Sequence, residues 1–254
     1  MHLSLSLSLG STMGGVGRGY DPITALGDDL LAWWTADDAA SLTLVGSAVS
    51  AWRDQKNGYE VTQGVSSARP VYSATSFGGS PGLTFDGIDD VLNLESSPLP
   101  SGSTAFWIWC VCQQDSLVAD TNVRVAVSVG GAAATVRRIQ RGVVSGANRA
   151  QVVVGDGVSG QQTNETTIDL SSRHLLRADV GPTATELSID ASADVTLPVV
   201  PGTSTTRVNI GANTGTQTGG NFWEGLNRDV AVTNPLTTEQ AAAFETYLLA
   251  RRAL

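Results

Sequence analysis

A cluster of carboxylates between residues 86 and 90 is the part of the sequence most able to do chemistry. Asp86, Asp89 and Asp90 fall together in the segment Asp86-Gly87-Ile88-Asp89-Asp90. Carboxylates gathered in a loop can bind calcium, although the spacing of an EF-hand is absent. Aspartates also shape turns, because their side chains accept hydrogen bonds from nearby backbone N–H groups. The sequence leaves both interpretations open, a turn or a calcium site, and indicates no other cofactor.

The segment Gly78-Gly79-Ser80-Pro81-Gly82 matches the pattern of a serine nucleophile on a sharp turn between a strand and a helix. The residue after that serine must donate its backbone N–H to an oxyanion, and Pro81 has no N–H to donate. His2 and His174 are the only histidines, so few bases are available to activate a hydroxyl. We therefore interpret Ser80 as part of a turn.

Cleavage of a glycosidic bond needs two carboxyl groups that flank the bond. Glu186 and Asp190 are close in sequence and would share a face of one strand, but no other residue supports them as a pair. Glu224 and Asp229 would point in opposite directions in an unbroken strand. Because no series of carboxylates lies on one face, the sequence predicts that the protein is not an enzyme.

Composition and charge exclude several classes of protein. The chain has 254 residues and a formal net charge of −9, which would repel phosphates, so we expect no nucleic-acid partner. No apolar run reaches the roughly 18 residues of a membrane span, so we expect no membrane insertion. Cys110 and Cys112 are the only cysteines, and their spacing on a strand suits a disulfide poorly. We predict that both are reduced residues of the core.

Short runs of strand-forming residues recur from about residue 30 onward, separated by turns that contain glycine or proline. Regularly spaced short strands without helices between them predict a β-sandwich or jelly roll. The end of the chain differs, because Thr237 and Gln240 form a capping box that predicts the start of a helix. Ala241, Phe244 and Leu248 would share one face of that helix, which we expect to pack on the strands.

The start of the chain reads as a separate strand on a tether. Leu3, Leu5, Leu7 and Leu9 alternate with serine, a period that places all four leucines on one face of a strand. The glycine-rich stretch that follows, residues 10–19, is typical of a flexible tether. The segment lacks the early basic residue and the continuous apolar run of a signal peptide.

A lone strand cannot bury its apolar face by itself. We therefore predict that residues 1–20 form a docking segment that binds a partner by strand addition. The alternative is a strand that joins the edge of its own domain. Residues 21–254 are predicted to form one jelly-roll domain.

Four groups of residues carry a resemblance to a known family. They are Leu30-Leu31-Ala32-Trp33-Trp34; Trp52-Arg53-Asp54, with Asn57-Gly58 and Arg69-Pro70; Phe85-Asp86-Gly87-Ile88-Asp89-Asp90; and Asn221-Phe222-Trp223-Glu224-Gly225 ahead of the helix. Together they resemble the concanavalin A-like lectin/glucanase family, in the laminin-G-like branch that is common in bacteriophage virion proteins. The resemblance runs from about residue 30 to the end of the chain. It implies an all-β fold, a two-sheet antiparallel jelly-roll sandwich with one C-terminal α-helix, and it implies no activity by itself.

The resemblance and the tethered strand together predict a non-enzymatic virion protein with a lectin-like domain, on a phage tail or capsid. Its partners would be other virion proteins and host-surface polysaccharide, with many copies or a homo-oligomer in the assembly. Tyr59 and Trp223 are the aromatic residues expected to stack on sugar rings. The alternatives are a capsid decoration protein that binds no sugar, and a polysaccharide-acting enzyme or secreted lectin.

Overall fold

The structure describes most of the chain from residue 19 onward. The predicted docking segment, with Leu3, Leu5, Leu7 and Leu9, lies outside the described residues and stays a prediction. None of the helices in the described ranges is long and apolar enough to cross a membrane. The computed structural model describes residues 19–96, 99–100, 104–114, 122–130, 136–144, 147–155, 160–167, 170–192, 195–198, 207–213 and 221–253.

The described chain is mostly β-structure, with one long helix at its end. A short helix, α1 (Pro22–Leu26), comes first, and Asp21 caps it by accepting a hydrogen bond from the N–H of Ile23 at 3.1 Å. The last element is α2 (Thr238–Ala253). The strands between them are β1 (Leu30–Thr35), β2 (Leu42–Val45), β3 (Ala48–Arg53), β4 (Glu60–Thr62), β5 (Val71–Phe77), β6 (Ser80–Asp86), β7 (Leu92–Leu94), β8 (Phe106–Gln114), β9 (Arg124–Val129), β10 (Arg137–Val144), β11 (Ala147–Gly155), β12 (Gly160–Thr167), β13 (His174–Val180), β14 (Thr185–Ile189), β15 (Val195–Leu197), β16 (Val208–Ile210) and β17 (Glu224–Thr233).

Antiparallel pairing connects these strands into one large sheet. Within it, two series of neighbouring strands can be traced, and they are called the first run and the second run below. The first run has the order β5–β6–β17–β8–β13–β14–β15, and β1 also pairs with β17. The second run has the order β2–β3–β4–β7–β16–β9–β10–β11–β12. The runs meet where Ala48 of β3 pairs with Val71 of β5. A mostly β, antiparallel fold with a C-terminal helix is thus confirmed, and the division into the two sheets of a jelly roll stays a prediction.

Strand β8 is buried on both faces, which explains its apolar composition. Phe106, Ile108, Cys110 and Cys112 point to one face and belong to the main core, which contains buried side chains from both runs. Trp109 points to the other face, into a second cluster that includes the apolar face of α2. Both cysteines are buried and neither is in a disulfide, as the sequence predicts.

Helix α2 begins and packs as its sequence predicts. The N–H of Gln240 donates to Thr237 Oγ1 at 3.2 Å, and the N–H of Thr237 donates to Gln240 Oε1 at 3.0 Å, which closes the capping box. Ala241, Phe244 and Leu248 are buried on the face that contacts the sheet. This packing places the start of α2 beside β8 and β13, where the candidate site lies.

Arg251, in the last turn of α2, joins the helix to the sheet. Its guanidinium donates to both carboxylate oxygens of Asp229 at 2.9 Å, to Thr35 Oγ1 at 2.6 Å and to Asp37 Oδ2 at 2.7 Å. Asp229, in β17, is 1% exposed. Burial opposes the charge of Arg251, but the contact with Asp229 outweighs burial and raises the pKa of the guanidinium above its ordinary value. The end of the helix is therefore held on β1 and β17 by a buried ion pair.

Candidate functional site

The two aromatic residues predicted to stack on sugar rings lie against the core. Trp223 is 0% exposed and belongs to the main core, so it offers no face to a sugar, contrary to the exposure expected from the sequence. Tyr59 is half-buried and packs against the same core. All six tryptophans are described, and Trp107 alone among them is not buried. Trp107 is thus the tryptophan that can meet a ligand.

Trp107 lies in a row of residues that crosses three strands. In β8 it pairs with Asp179 of β13, and Asp179 pairs in turn with Glu186 of β14. Residues directly opposite each other in antiparallel strands point to the same face, with their Cβ atoms about 4.5–5.5 Å apart. The ring and both carboxylates therefore stand side by side, on the face of the sheet against which α2 packs.

Arg177, on the same face as Asp179, links Trp107 and Asp179 to the helix. Its guanidinium carbon lies 5.3 Å from the centroid of the Trp107 ring. Its Nε donates to Asp179 Oδ1 at 2.8 Å, and its Nη1 donates to Oε1 of Glu245, a residue of α2, at 3.2 Å. Glu186 accepts a hydrogen bond from a threonine hydroxyl at 3.4 Å and forms no ion pair with a described residue.

These five residues, Trp107, Arg177, Asp179, Glu186 and Glu245, are called the Trp107 site below. All of them except Glu186 line a cavity of about 470 Å³, which the first residues of α2 close on the other side. A cavity of this size suits a small ligand. The ring can stack on the apolar face of a sugar, and two carboxylates from directly paired residues of β13 and β14 are the kind of group that flanks a scissile bond in glycosidases.

The carboxylate pair considered from the sequence, Glu186 with Asp190, is not formed. Asp190 lies in the turn after β14, where its φ is 53°, and it forms a hydrogen bond with His174 Nδ1 at 2.7 Å and an ion pair with Arg252 at 2.6 Å. Glu186 stands opposite Asp179 instead. Sequence reasoning missed this pair because it compared carboxylates along one strand, whereas the two belong to neighbouring strands.

The acidic segment between β6 and β7 forms a tight turn. The N–H of Ile88 donates to Asp86 Oδ1 at 2.8 Å, and the N–H of Asp86 donates to Asp90 Oδ2 at 3.0 Å. Gly87 has a φ of 76°, in the left-handed region that favours glycine. These are the bonds that the turn interpretation of the sequence predicts.

The same three carboxylates have the geometry of a cation site. One ligand oxygen from each of Asp86, Asp89 and Asp90 lies within 4.8 Å of the other two. Calcium binds oxygen atoms at 2.3–2.6 Å, so two oxygens on one ion are at most about 5 Å apart. The donor set therefore fits calcium, and the calcium site stays a prediction beside the turn.

Asp90 gives the segment an expected dependence on pH. Burial, together with the Asp86 carboxylate, raises the pKa of Asp90 to about 7. In the unfolded chain the pKa of this carboxyl is about 4, so folding raises it. The free energy of unfolding therefore contains the full contribution of protonated Asp90 below about pH 4, and this contribution is lost as the pH rises towards 7. We expect Asp90→Asn, which mimics the protonated acid, to melt close to the wild type at about pH 4 and several degrees above it at about pH 8. Thermal melts over this range measure the difference, and equal pH profiles would contradict the raised pKa.

Added calcium separates the two interpretations of the acidic segment. If the ion binds, millimolar calcium raises the Tm of the wild type by mass action, and a chelator reverses the increase. Asp86→Ala, which removes a ligand and the turn bonds, is expected to lower the stability by about 1–3 kcal/mol and to abolish the response to calcium. An unchanged Tm of the wild type in calcium would leave the turn as the only role of these residues.

Comparison with known proteins finds relatives in fold but not in sequence. No protein-family model and no curated protein sequence matches the chain. A GH54 α-L-arabinofuranosidase is 10% identical over 92% of this chain and 66% of its own, with a TM-score of 0.64. The sialidase of Trypanosoma rangeli is 11% identical over 88% of this chain and 33% of its own, with a TM-score of 0.58. The enzymatically active domain of tailspike protein 2 of bacteriophage CBA120 is 14% identical over 70% of this chain and 29% of its own, with a TM-score of 0.53.

The likeness at these identities shows the fold alone. The chain spans only 29% to 66% of the length of the three proteins. The prediction of a non-enzymatic virion protein with a lectin-like domain is nevertheless contradicted, because the three proteins compared are a sialidase, an arabinofuranosidase and an enzymatically active tailspike domain. These comparisons favour the polysaccharide-acting enzyme that stood as an alternative. Membership of the concanavalin A-like family is not confirmed by them and stays a prediction.

Proposed function

We propose that the chain is a polysaccharide-acting domain that cleaves glycosidic bonds at the Trp107 site. The observation that carries the proposal is the row Trp107–Asp179–Glu186, which sets two carboxylates beside a partly exposed aromatic ring. The fold shared with a sialidase, an arabinofuranosidase and an enzymatically active tailspike domain supports it. The cavity of about 470 Å³ beside the row supports it further, because a sugar can enter there.

Each side chain of the site has a role in this reaction. The Trp107 ring packs on the apolar face of the sugar. Asp179, ion-paired with Arg177, attacks the anomeric carbon as a carboxylate, while the carboxylic acid of Glu186 gives its proton to the leaving oxygen. Water then attacks the glycosyl–Asp179 ester, Glu186 accepts the water's proton, and the sugar leaves with a new reducing end. Glu245 orients Arg177 from the helix side.

The architecture proposed for this domain is a sandwich of two layers, formed by the two runs of strands. The shared core supports this arrangement, because buried side chains of β8 and β9 belong to one cluster, although β8 pairs with β13 and β17 whereas β9 pairs with β10 and β16. The Trp107 site would then lie on the outer face of the first layer, between the sheet and α2.

We also propose that the domain belongs to a bacteriophage particle, where it would act on polysaccharide of the host surface. The likeness to the enzymatically active domain of a phage tailspike protein supports this location. The proposed partners remain other virion proteins and the polysaccharide itself. The net charge of −9 supports the expectation that nucleic acid is not a partner.

The direct test is the release of reducing ends from polysaccharide. The purified chain is incubated with a panel of bacterial capsular and cell-wall polysaccharides, and new reducing ends are assayed over time. We expect turnover on at least one member of the panel. Binding to a glycan without any release of reducing ends would contradict cleavage and reduce the Trp107 site to a binding site.

Trp107→Ala is expected to weaken binding of the glycan about fivefold, because a stacked aromatic ring contributes on the order of 1 kcal/mol beyond the area it buries. Trp107→Phe keeps a smaller ring and should lie between this variant and the wild type. Titration calorimetry with an oligosaccharide fragment measures the affinities. Unchanged affinity in Trp107→Ala, with a melting curve like that of the wild type, would place the glycan elsewhere.

A further inference from the structure

Strand β2 forms an exposed apolar edge of the sheet. Among the described strands it pairs only with β3, so its other side faces no described strand. Leu44 is 38% exposed and Val45 is 62% exposed. The strand, Leu42-Thr43-Leu44-Val45, contains no charged residue and no proline, which are the residues that protect natural edge strands from pairing with another chain.

An exposed apolar row leads to this edge. Val45 pairs with Ala48 of β3, and Ala48 pairs with Val71 of β5, which is 44% exposed. Directly paired residues share a face, so Val45, Ala48 and Val71 form one row across three strands. A strand added beside β2 would continue the row with its own side chains.

The strands at the other ends of the two runs are less suited to accept such a strand. β15 has only three residues, Val195–Leu197. β12 has the polar sequence Gly-Gln-Gln-Thr-Asn-Glu-Thr-Thr and so offers no apolar row. β1 also pairs with one described strand only, β17, but its outward carbonyls already accept hydrogen bonds from Asn57, Gln55 and Trp52. β2 is therefore the apolar edge that remains among the described strands.

We propose that β2 accepts the N-terminal segment of a second copy of this chain as an added strand. The segment contains Leu3, Leu5, Leu7 and Leu9 alternating with serine, so an extended chain carries all four leucines on one face. Residues 3–9 would span roughly 23 Å, enough to cover the whole of β2, which spans about 13 Å. Strand addition supplies backbone hydrogen bonds, and the leucines supply contacts with the row that ends at Val45.

The position of Tyr20 favours a second copy over the same chain. Tyr20 packs on Tyr247 of α2, with ring centroids 5.4 Å apart, so the chain enters the domain on the face of the first run that carries α2. Leu42 of β2 belongs to the main core, on the opposite face of that run. A tail that starts beside Tyr20 must pass around the run to reach its own β2, whereas the edge of a neighbouring copy is open to it. The contact is head-to-tail, so it extends into rings or chains of copies.

The experiment measures the mass of the full chain in solution by light scattering over a range of concentrations. We expect the wild type to associate as its concentration rises. Val45→Lys, which places a charge on the edge, and the pair Leu5→Ser with Leu7→Ser should each weaken association at least tenfold. Val65→Lys is the matched control, because Val65 is 46% exposed but lies outside the strands, and it should associate like the wild type.

A mixture of the two variants that associate weakly is the most specific test of the proposed contact. Val45→Lys keeps its N-terminal segment and the double leucine variant keeps its edge, so a mixture should form one junction and yield mixed dimers. A monomeric wild type would overturn the proposal, as would association that survives Val45→Lys or a mixture that stays monomeric. If the wild type is monomeric and Val45→Lys melts at a lower temperature, the segment occupies its own domain. None of these outcomes depends on activity at the Trp107 site, so the test is independent of the proposed function.

Discussion

Glu186→Gln is expected to slow the release of reducing ends by between about 10²- and 10⁴-fold, the range that a general acid–base group contributes. The amide keeps the shape of the side chain but has no proton to give to the leaving oxygen. Glu186 is half-buried and forms no ion pair with a described residue, so the substitution leaves no charged partner unpaired among those residues. Initial rates on the polysaccharide found in the panel measure the loss.

Two further variants test whether the loss of rate comes from the carboxylate pair. Asp179→Asn should cause a loss of similar size, because it removes the nucleophile opposite Glu186. Glu239→Gln is the matched control, since Glu239 lies in the first turn of α2 and is exposed. An aryl glycoside with a good leaving group needs no proton from Glu186 and should recover part of the rate in Glu186→Gln. Full activity of Glu186→Gln on polysaccharide would exclude the carboxylate pair as the catalytic pair.

Arg251→Ala is expected to lower the free energy of unfolding by about 3–5 kcal/mol, the cost of breaking a buried ion pair from one side. The substitution leaves the Asp229 carboxylate, 1% exposed, without the two hydrogen bonds that it accepts at 2.9 Å. It also frees the last turn of α2 from Thr35 and Asp37. Denaturant unfolding followed by circular dichroism measures the change.

The neighbouring arginine provides the control for this prediction. Arg252 pairs with Asp190 at 2.6 Å, but its side chain is 30% exposed and that of Asp190 25% exposed. Arg252→Ala should therefore cost no more than about 1 kcal/mol, as is typical of exposed ion pairs. A similar small effect of both substitutions would show that the buried pair does not hold the helix.

The features predicted correctly from the sequence depend on residues that are close in the chain. The capping box of Thr237 and Gln240 is a local exchange of hydrogen bonds, and both bonds are present. The apolar face of α2 follows from a helical period, and alternation predicts the strands in the same way. The reduced state of Cys110 and Cys112 follows from their spacing on β8.

The candidate site could not be predicted in this way because it depends on which strands are neighbours. Trp107, Asp179 and Glu186 come from three strands, and pairing alone brings them onto one face. Strand order is set by packing of the whole core rather than by any local pattern. A weaker signal was available in the hairpin of β13 and β14, since Asp179 and Glu186 are symmetrically placed about the connection formed by residues 181–184.

Exposure of aromatic residues was predicted less well than secondary structure. Trp223 stands next to glycine- and asparagine-rich sequence, which favours a surface loop, yet its large apolar ring is 0% exposed in the main core. Trp107 lies in the otherwise apolar strand β8, and it is the tryptophan that keeps partial exposure. The reason is that β8 extends to the start of α2, where the helix covers Trp109 but leaves the ring of Trp107 at its margin.

Because the tryptophans are unequally buried, the intrinsic fluorescence of the protein can report on the exposure of Trp107. Five of the six indole rings are shielded from solvent, so a soluble quencher such as iodide reaches mainly Trp107. The quenchable fraction of the fluorescence, emitting at longer wavelength than the shielded rings, should disappear in Trp107→Phe. A sugar that covers this ring protects it from iodide, and occupancy can then be followed during a reaction without any label.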